Sequence, residues 1–200
     1  SALQTRRPDV IHSSRWGGDM ESFVAQANAR GLLAQATALL TTGESGLHRF
    51  EGQAPNGTIL GGRGPFGGFM PENELSDWFR KAYEEEHGTP PSYPASKAAQ
   101  AILALKYAAD NSGADGVPSP EQLAAALKGA EFPSVSGTVR MALADGHQAL
   151  QPMYYGEYHY EDGEASLRNV RSFPGECVSA PDGQNPQEWI KAGFPGAECD

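Results

Sequence analysis

Three short segments concentrate the residues able to do chemistry. Trp16 stands before Gly17 and Gly18, Thr41 and Thr42 stand just before Glu44, and Arg63 and Phe66 sit in the run GGRGPFGG at 61–68. Tyr93 adds an aromatic beyond Pro90 and Pro91. An aromatic wall with a few polar groups and one carboxylate is the composition of a small-molecule cleft. Taken singly, each of these residues also has a packing or solvent-facing reading, and the two stand level.

Other chemistries fail on context. Gly62, Gly64 and Gly67 match G-x-G-x-x-G behind a short strand. Pro65 and then Phe69-Met70-Pro71 intervene before any helix could turn its amides on a pyrophosphate, so a hinge loop is preferred. Gly43-Glu44-Ser45-Gly46 lacks the glycine spacing of a nucleophile elbow. His12, His48, His87, His147 and His159 are scattered, with no pair at ligand spacing and no cysteine beside them, so no metal and no cofactor is expected. His12 alternates with Ile11 in a strand and is expected to be a hydrogen-bonded structural residue. Asn56-Gly57-Thr58 fits a glycosylation sequon and is read as a turn. An enzyme using Glu44 with His12 or His48 as acid and base stays open as an alternative, although nothing in the sequence sets them within hydrogen-bond reach.

These residues need elements to position them. Residues 9–14 read as a strand bounded by Pro8 and the Gly17-Gly18 pair. Asp19 is expected to cap a helix whose apolar face is Met20, Phe23, Val24 and Ala27, with Gly31 as its left-handed stop. Strands are predicted over 35–41 and 57–60, which sets Trp16 and the threonines at strand ends, where open α/β sheets bind ligands. Helices follow. Leu75, Trp78, Phe79, Ala82 and Tyr83 define the buried face of one, and Ala98, Ala101, Ile102, Leu105 and Ala109 that of a second. Ser119, Pro120 and Gln122 form a capping box for a third, with Leu123 and Leu127 buried and Gly129 ending it. Strands over 137–143 and 153–160, joined through Asp145-Gly146, and a third over 167–173 look local and antiparallel. The rest is a wrapped tail with one helical turn around Glu188, Trp189 and Ile190.

Composition narrows the partners. The chain has 200 residues, 39% hydrophobic and 20% charged, which suits one sizeable core or two small ones. Its 25 acidic residues against 15 basic ones give a formal charge of -10, so nucleic acid and anionic membrane are poor partners. No run is long enough for a membrane span, and the first residues lack the apolar core of a signal peptide. Cys177 and Cys199 both lie in the Pro/Gly-rich tail. A disulfide there is favoured over two free thiols and would contribute ~3 kcal/mol.

The order of segments resembles the branched-chain-amino-acid type of periplasmic solute-binding proteins that serve ABC importers. PDVIHSSRWGGDMESFVAQANARGL is similar to that family's second-lobe strand and helix, with Trp16 at the position of an aromatic covering the ligand. NGTILGGRGPFG resembles the passage from second lobe to first, and ELSDWFRKAYEEEHGTPPSYPASKAAQAILALKYAADNSG the paired first-lobe helices, with Tyr93 near the cleft. PEQLAAALKGAEFPSVSGTVRMALADGHQALQPMYYGEY resembles the last helix, the return crossing and the closing strands. Only the C-terminal half of the family pattern is represented.

The resemblance implies an α/β fold, the C-terminal portion of a two-lobed type I periplasmic-binding-protein fold. Residues 1–62 would belong to the second lobe, 63–135 to the first, and 136–200 to the second again, with hinges at 61–68 and 133–137. It implies a periplasmic, exported, non-enzymatic protein without membrane insertion. Its partners would be a small organic solute, an amino acid or an aromatic or carboxylate compound, held in an interlobe cleft, an ABC permease, and the missing N-terminal half. Trp16, Gly17, Thr41, Thr42, Glu44, Arg63, Phe66 and Tyr93 would touch the ligand. Glu44 falls later than the family's amine-pairing acid, so an aromatic solute is as well supported as an amino acid. A ligand-sensing domain of a receptor or regulator is the alternative with the same fold.

Overall fold

The computed structural model describes residues 2–142, 148–197 and 199. The predicted Asp145-Gly146 turn and His147 lie outside the described residues. In chain order the elements are α1 (Ala2–Arg6), β1 (Val10–Ser13), α2 (Gly17–Ala29), β2 (Thr37–Leu40), β3 (Ile59–Gly62), α3 (Glu74–His87), α4 (Tyr93–Asn111), α5 (Pro120–Leu127), β4 (Glu131–Ser134), β5 (Gly137–Met141), β6 (Ala149–Leu150), β7 (Met153–Glu161) and β8 (Glu164–Phe173). A 3₁₀ helix spans Gly43–Arg49, single helical turns occupy Gly67–Phe69 and Gly175–Val178, and a short helix spans Pro186–Lys191. The chain divides into two compact units, residues 1–69 with 154–172, and residues 70–153 with 173–200.

The first unit is built on a five-stranded sheet in the order β1-β2-β3-β7-β8. β1, β2 and β3 run parallel, with His12 opposite Leu39 and Leu40 opposite Leu60, and β7 joins antiparallel. Ile11, Ala38, Leu40 and Leu60 point to a core completed by Met20, Val24 and Ala27 of α2 and by Phe50 and Tyr158. The rings of Phe50 and Tyr158 meet edge to face at 5.8 Å, and the Tyr158 hydroxyl accepts from the Gly52 amide at 3.0 Å.

Local signals explain most of these boundaries. After α2, Gly31 takes φ +68, its N–H reaches the Asn28 carbonyl at 2.8 Å and that of Leu32 reaches Ala27 at 2.9 Å, the paired bonds of a Schellman stop. The helix start departs from expectation. Trp16, not Asp19, holds the N-cap position, and Asp19 lies in the first turn, where its charge faces the helix dipole. β3 runs to Gly62 rather than ending at residue 60, because glycines let the strand pass close to its neighbours. A Cβ on Gly61 would approach the Thr41 carbonyl oxygen to 2.5 Å, and one on Gly62 the Phe69 ring to 2.6 Å. β7 and β8 turn at Asp162 and Gly163, both with positive φ (54° and 89°), as a two-residue hairpin requires.

The second unit carries α3, α4 and α5 and a small antiparallel sheet, β4-β5-β6. Asn73 and Ser76 cap α3 reciprocally, and Ser119 and Gln122 cap α5 as expected. β4 was not foreseen. Glu131 pairs with Arg140 and Ser134 with Gly137, so residues 133–137 form a hairpin inside this unit instead of a crossing. The same ladder holds β4, β5 and β6 in one unit with the helices, and the chain passes between the two units after residues 69, 153 and 172. Ala104 and Tyr107 of α4 pack with Leu127 against Ala130, Phe132 and Val139.

The faces expected to be buried on α3 and α4 are turned outward in part or whole. Trp78 is exposed, and along α4 Ala98, Ala101, Ile102 (65% exposed), Leu105 and Ala109 all face solvent while Ser96, Gln100 and Ala108 are buried. Periodicity identifies an apolar stripe but not which stripe finds a partner. In the tail, Cys177 and Cys199 are joined in a disulfide with Cα atoms 5.5 Å apart. The helical turn expected around Trp189 is present, capped by Asn185, and the indole meets Phe194 edge-on at 5.2 Å.

Candidate functional site

The carboxyl ends of β1, β2 and β3 open on the same side because the three strands are parallel. Trp16 and Gly17 follow β1, Thr41, Thr42 and Glu44 follow β2, and Arg63 and Phe66 follow β3. Seven of the eight expected residues therefore fall within the first unit, at adjacent strand ends. Tyr93 belongs to the second unit, where it opens α4, half-buried.

Hydrogen bonds lace the first two loops together. The Thr41 amide donates to the Ser13 carbonyl at 3.0 Å, extending the β1–β2 ladder by one step. The Thr42 hydroxyl donates to the Arg15 carbonyl at 2.7 Å, fixing the backbone immediately before Trp16. His12 Nε2 and Thr41 Oγ1 are hydrogen-bonded at 2.7 Å. Trp16 itself stays open, with 66% of its surface exposed, and Gly17 after it takes φ +57 with open space where a side chain would stand. The loop offers an indole face supported by ordered backbone.

Glu44 is enclosed. It is 6% exposed, and burial pushes its carboxyl up to about 7, with Arg49 pulling in the opposite direction. Its Oε1 lies over Gly67, where any Cβ would collide with it. The third loop is thus tied to the second through a glycine that leaves room for a carboxyl. Phe66 belongs beneath this loop rather than on an open wall. It is fully buried, and its ring packs where a Gly64 side chain would be. Arg63 is exposed.

Sequence reading passed over His12 as a partner of Thr41 and Gly67 as the seat of Glu44. The first depends on the parallel register, which brings the ends of neighbouring strands side by side and is not written in either strand alone. No local pattern carries the second. Among the described residues no group of three His, Cys, Asp or Glu is placed to hold a metal ion, and no helix is long and apolar enough to cross a membrane.

Loops at the carboxyl ends of parallel strands are where open α/β folds place ligands. The description "periplasmic binding protein" matches residues 1–164, and the chain belongs to that family. Its mixed α/β fold is that of type I periplasmic binding proteins, over about half of their length. A solute-binding protein of an ABC transporter from Rhodopseudomonas palustris BisB5, in complex with 3,4-dihydroxybenzoic acid, is 20% identical with a TM-score of 0.72, over 87% of this chain and 47% of its own. A leucine-, isoleucine-, valine-, threonine- and alanine-binding protein from Brucella ovis, in a closed conformation, is 23% identical with a TM-score of 0.69, over 90% and 47%. A benzoate-bound solute-binding protein from R. palustris gives 21% and 0.65, over 83% and 44%. The chain therefore spans less than half the length of these relatives. No curated protein matches it.

Proposed function

We propose that this chain contributes one face of the solute site of an ABC importer's extracytoplasmic binding protein. The observation that carries the reading is a set of three loops at adjacent parallel strand ends, one of them bearing an exposed indole, in a chain of this family. Trp16 covers the solute, Gly17 leaves its approach open, and Thr41, Thr42 and Arg63 offer polar contacts. Glu44 supplies a carboxyl beneath them, Phe66 supports the third loop from below, and Tyr93 serves the same site in the whole protein. No covalent chemistry is assigned, since His12 is engaged by Thr41 and Glu44 lies against Gly67.

The solute is a small organic molecule, either an amino acid or an aromatic carboxylate, as the ligands of the relatives suggest. Its other partners are a membrane permease and the N-terminal half of the binding protein. The outward apolar stripe of α4 supports the latter, because Ile102 and Leu105 facing water mark an interaction surface. A periplasmic setting accords with the Cys177–Cys199 bridge. In the whole protein the first unit is assigned to the second lobe and the helices of the second unit to the first lobe.

Calorimetric titration of this chain and of its full-length parent with L-leucine, benzoate and 3,4-dihydroxybenzoate tests the reading. At least one solute should bind the parent saturably, and Trp16→Ala should weaken it roughly tenfold or more, as loss of an aromatic anchor does. Saturable binding by none of the three, or a Trp16→Ala variant of unchanged affinity, removes the basis for it.

A further inference from the structure

We propose that movement between the two units is confined to Met70 at the first passage and to Pro152 and Met153 at the second, with a clamp of Phe69 and Tyr154 holding the glycine run 61–68 still. Closure on a solute is what such movement would serve, and to that extent the inference rests on the solute-binding reading above. Each passage is anchored on both sides by contacts made inside one unit. The few residues left between the two anchors are where torsions can change.

Phe69 is the last residue of the first unit before the chain leaves it, and Tyr154 the first on its return. Their rings stack with centroids 5.6 Å apart and planes inclined at 28°. Phe69 is 6% exposed, and its N–H reaches the Phe66 carbonyl at 2.9 Å. Its ring lies over the β3–β7 ladder where Gly62 and Gly156 have no side chains, and a Cβ on either would come within 2.6 or 3.3 Å of it. Tyr154 is the ladder partner of Gly62. The run before Phe69 is packed as closely, with Gly68 against Leu47 and Leu167, Gly67 under Glu44 and Gly61 against the Thr41 carbonyl. These glycines serve close approach instead of mobility, so the third loop of the solute face travels with the first two as one body.

The anchors on the other side follow at once. Pro71 is tied to α3, its carbonyl accepting from the Ser76 hydroxyl and from Arg80 Nη2 at 3.4 Å. Met70 alone separates it from Phe69, and a residue before proline is confined to extended conformations, so the pivot there is narrow. At the second passage Gln151 Oε1 accepts from Lys97 Nζ of α4 at 2.8 Å, and its backbone carbonyl lies against Gly175 of the tail. Pro152 and Met153 remain before Tyr154. The proline ring fixes its own φ, which leaves Pro152 ψ and the torsions of Met153. The third passage, after Ser172, enters the second unit beside Gln151 at that same Gly175 and follows the second.

Hydrogen exchange and paired structures test this. In the chain without solute, the amides of Phe66 and Phe69 should exchange at least about tenfold more slowly than that of Met70. Phe69→Ala and Tyr154→Ala should each speed the Phe66 amide by about tenfold, with the double variant no faster than either, whereas Met70→Gly should leave it unchanged. Crystal structures of the full-length parent with and without sodium benzoate should differ in torsion at residues 70, 152 and 153, with residues 61–69 superposing together with β1, β2 and β3. Met70→Pro, which fixes φ at the first pivot, should reduce the compaction that benzoate causes in small-angle scattering. A torsion change inside 61–68, or Phe66 and Phe69 amides as fast as that of Met70 in the unaltered chain, overturns the proposal whether or not the variants fold. A parent that binds no solute removes the solute-binding reading, and the exchange pattern then decides the clamp by itself.

Discussion

Glu44 places its nearly buried carboxyl over the Cα of Gly67, and the consequence is a pH-dependent fold. Burial raises its pKa from the ordinary 4.5 to about 7. The folded state therefore binds more protons than the unfolded chain between those values. Its stabilising contribution is complete below pH 4.5 and is lost as pH rises through 7. A shift of that size corresponds to about 3 kcal/mol. Urea unfolding of the chain and of Glu44→Gln at pH 5 and pH 8 measures it. The native chain should lose this much more stability than the variant across the interval, and parallel profiles would show that the carboxyl is not enclosed. An amine-bearing solute at Glu44 would oppose the trend, since a neighbouring cation favours the ionised form.

At the scale of elements, capping chemistry was legible and partnership was not. The stop at Gly31 and the Ser119–Gln122 box are written in four or five consecutive residues, so they can be read without the rest of the chain. The Asp162-Gly163 turn was equally readable, although it is not named among the turns expected from the sequence. β4 was hidden because Pro133 argues against a strand, yet Pro133 lies at an edge, where a missing N–H is tolerated. The α4 stripe failed for a different reason, because an apolar face becomes a core face only when something covers it. Of the site, the strand-end positions of Trp16 and the threonines were legible from the β-loop-α order. The His12–Thr41 bond was not, since it depends on register between strands. The outward stripe has a direct test. Ile102→Lys should leave the stability of this chain within about 0.5 kcal/mol by urea unfolding, as exposed substitutions do. If the proposed N-terminal half covers the stripe, the same change should weaken their association in sedimentation, and a variant that still associates at full strength would assign the stripe to plain solvent.

On the scale of the whole molecule, the stability of the second unit depends on how its tail is held. The chain returns to that unit after β8, and among the described residues of this tail the regular structure is Gly175–Val178 and Pro186–Lys191. Arg140 on β5 reaches Glu176 and Asp182, each at 3.3 Å. Those pairs are largely exposed, and exposed pairs contribute about 0–1 kcal/mol. Trp189 is buried and donates to the Pro195 carbonyl at 2.9 Å, but one indole on a six-residue helix cannot order 28 residues against their conformational entropy. The Cys177–Cys199 bridge, spanning 22 positions, removes much of that entropy from the unfolded chain and should contribute ~3 kcal/mol, several times either ion pair. Replacing both cysteines by serine should lower stability by about that amount. Hydrogen exchange should show faster opening of residues 175–197 and unchanged protection of β1, β2 and β3, which belong to the other unit. Arg140→Ala in the oxidised chain should cost about 1 kcal/mol or less. Equal costs for the two changes, or loss of protection spreading into β1–β3, would mean that the tail is held by packing across the molecule and not by its covalent loop.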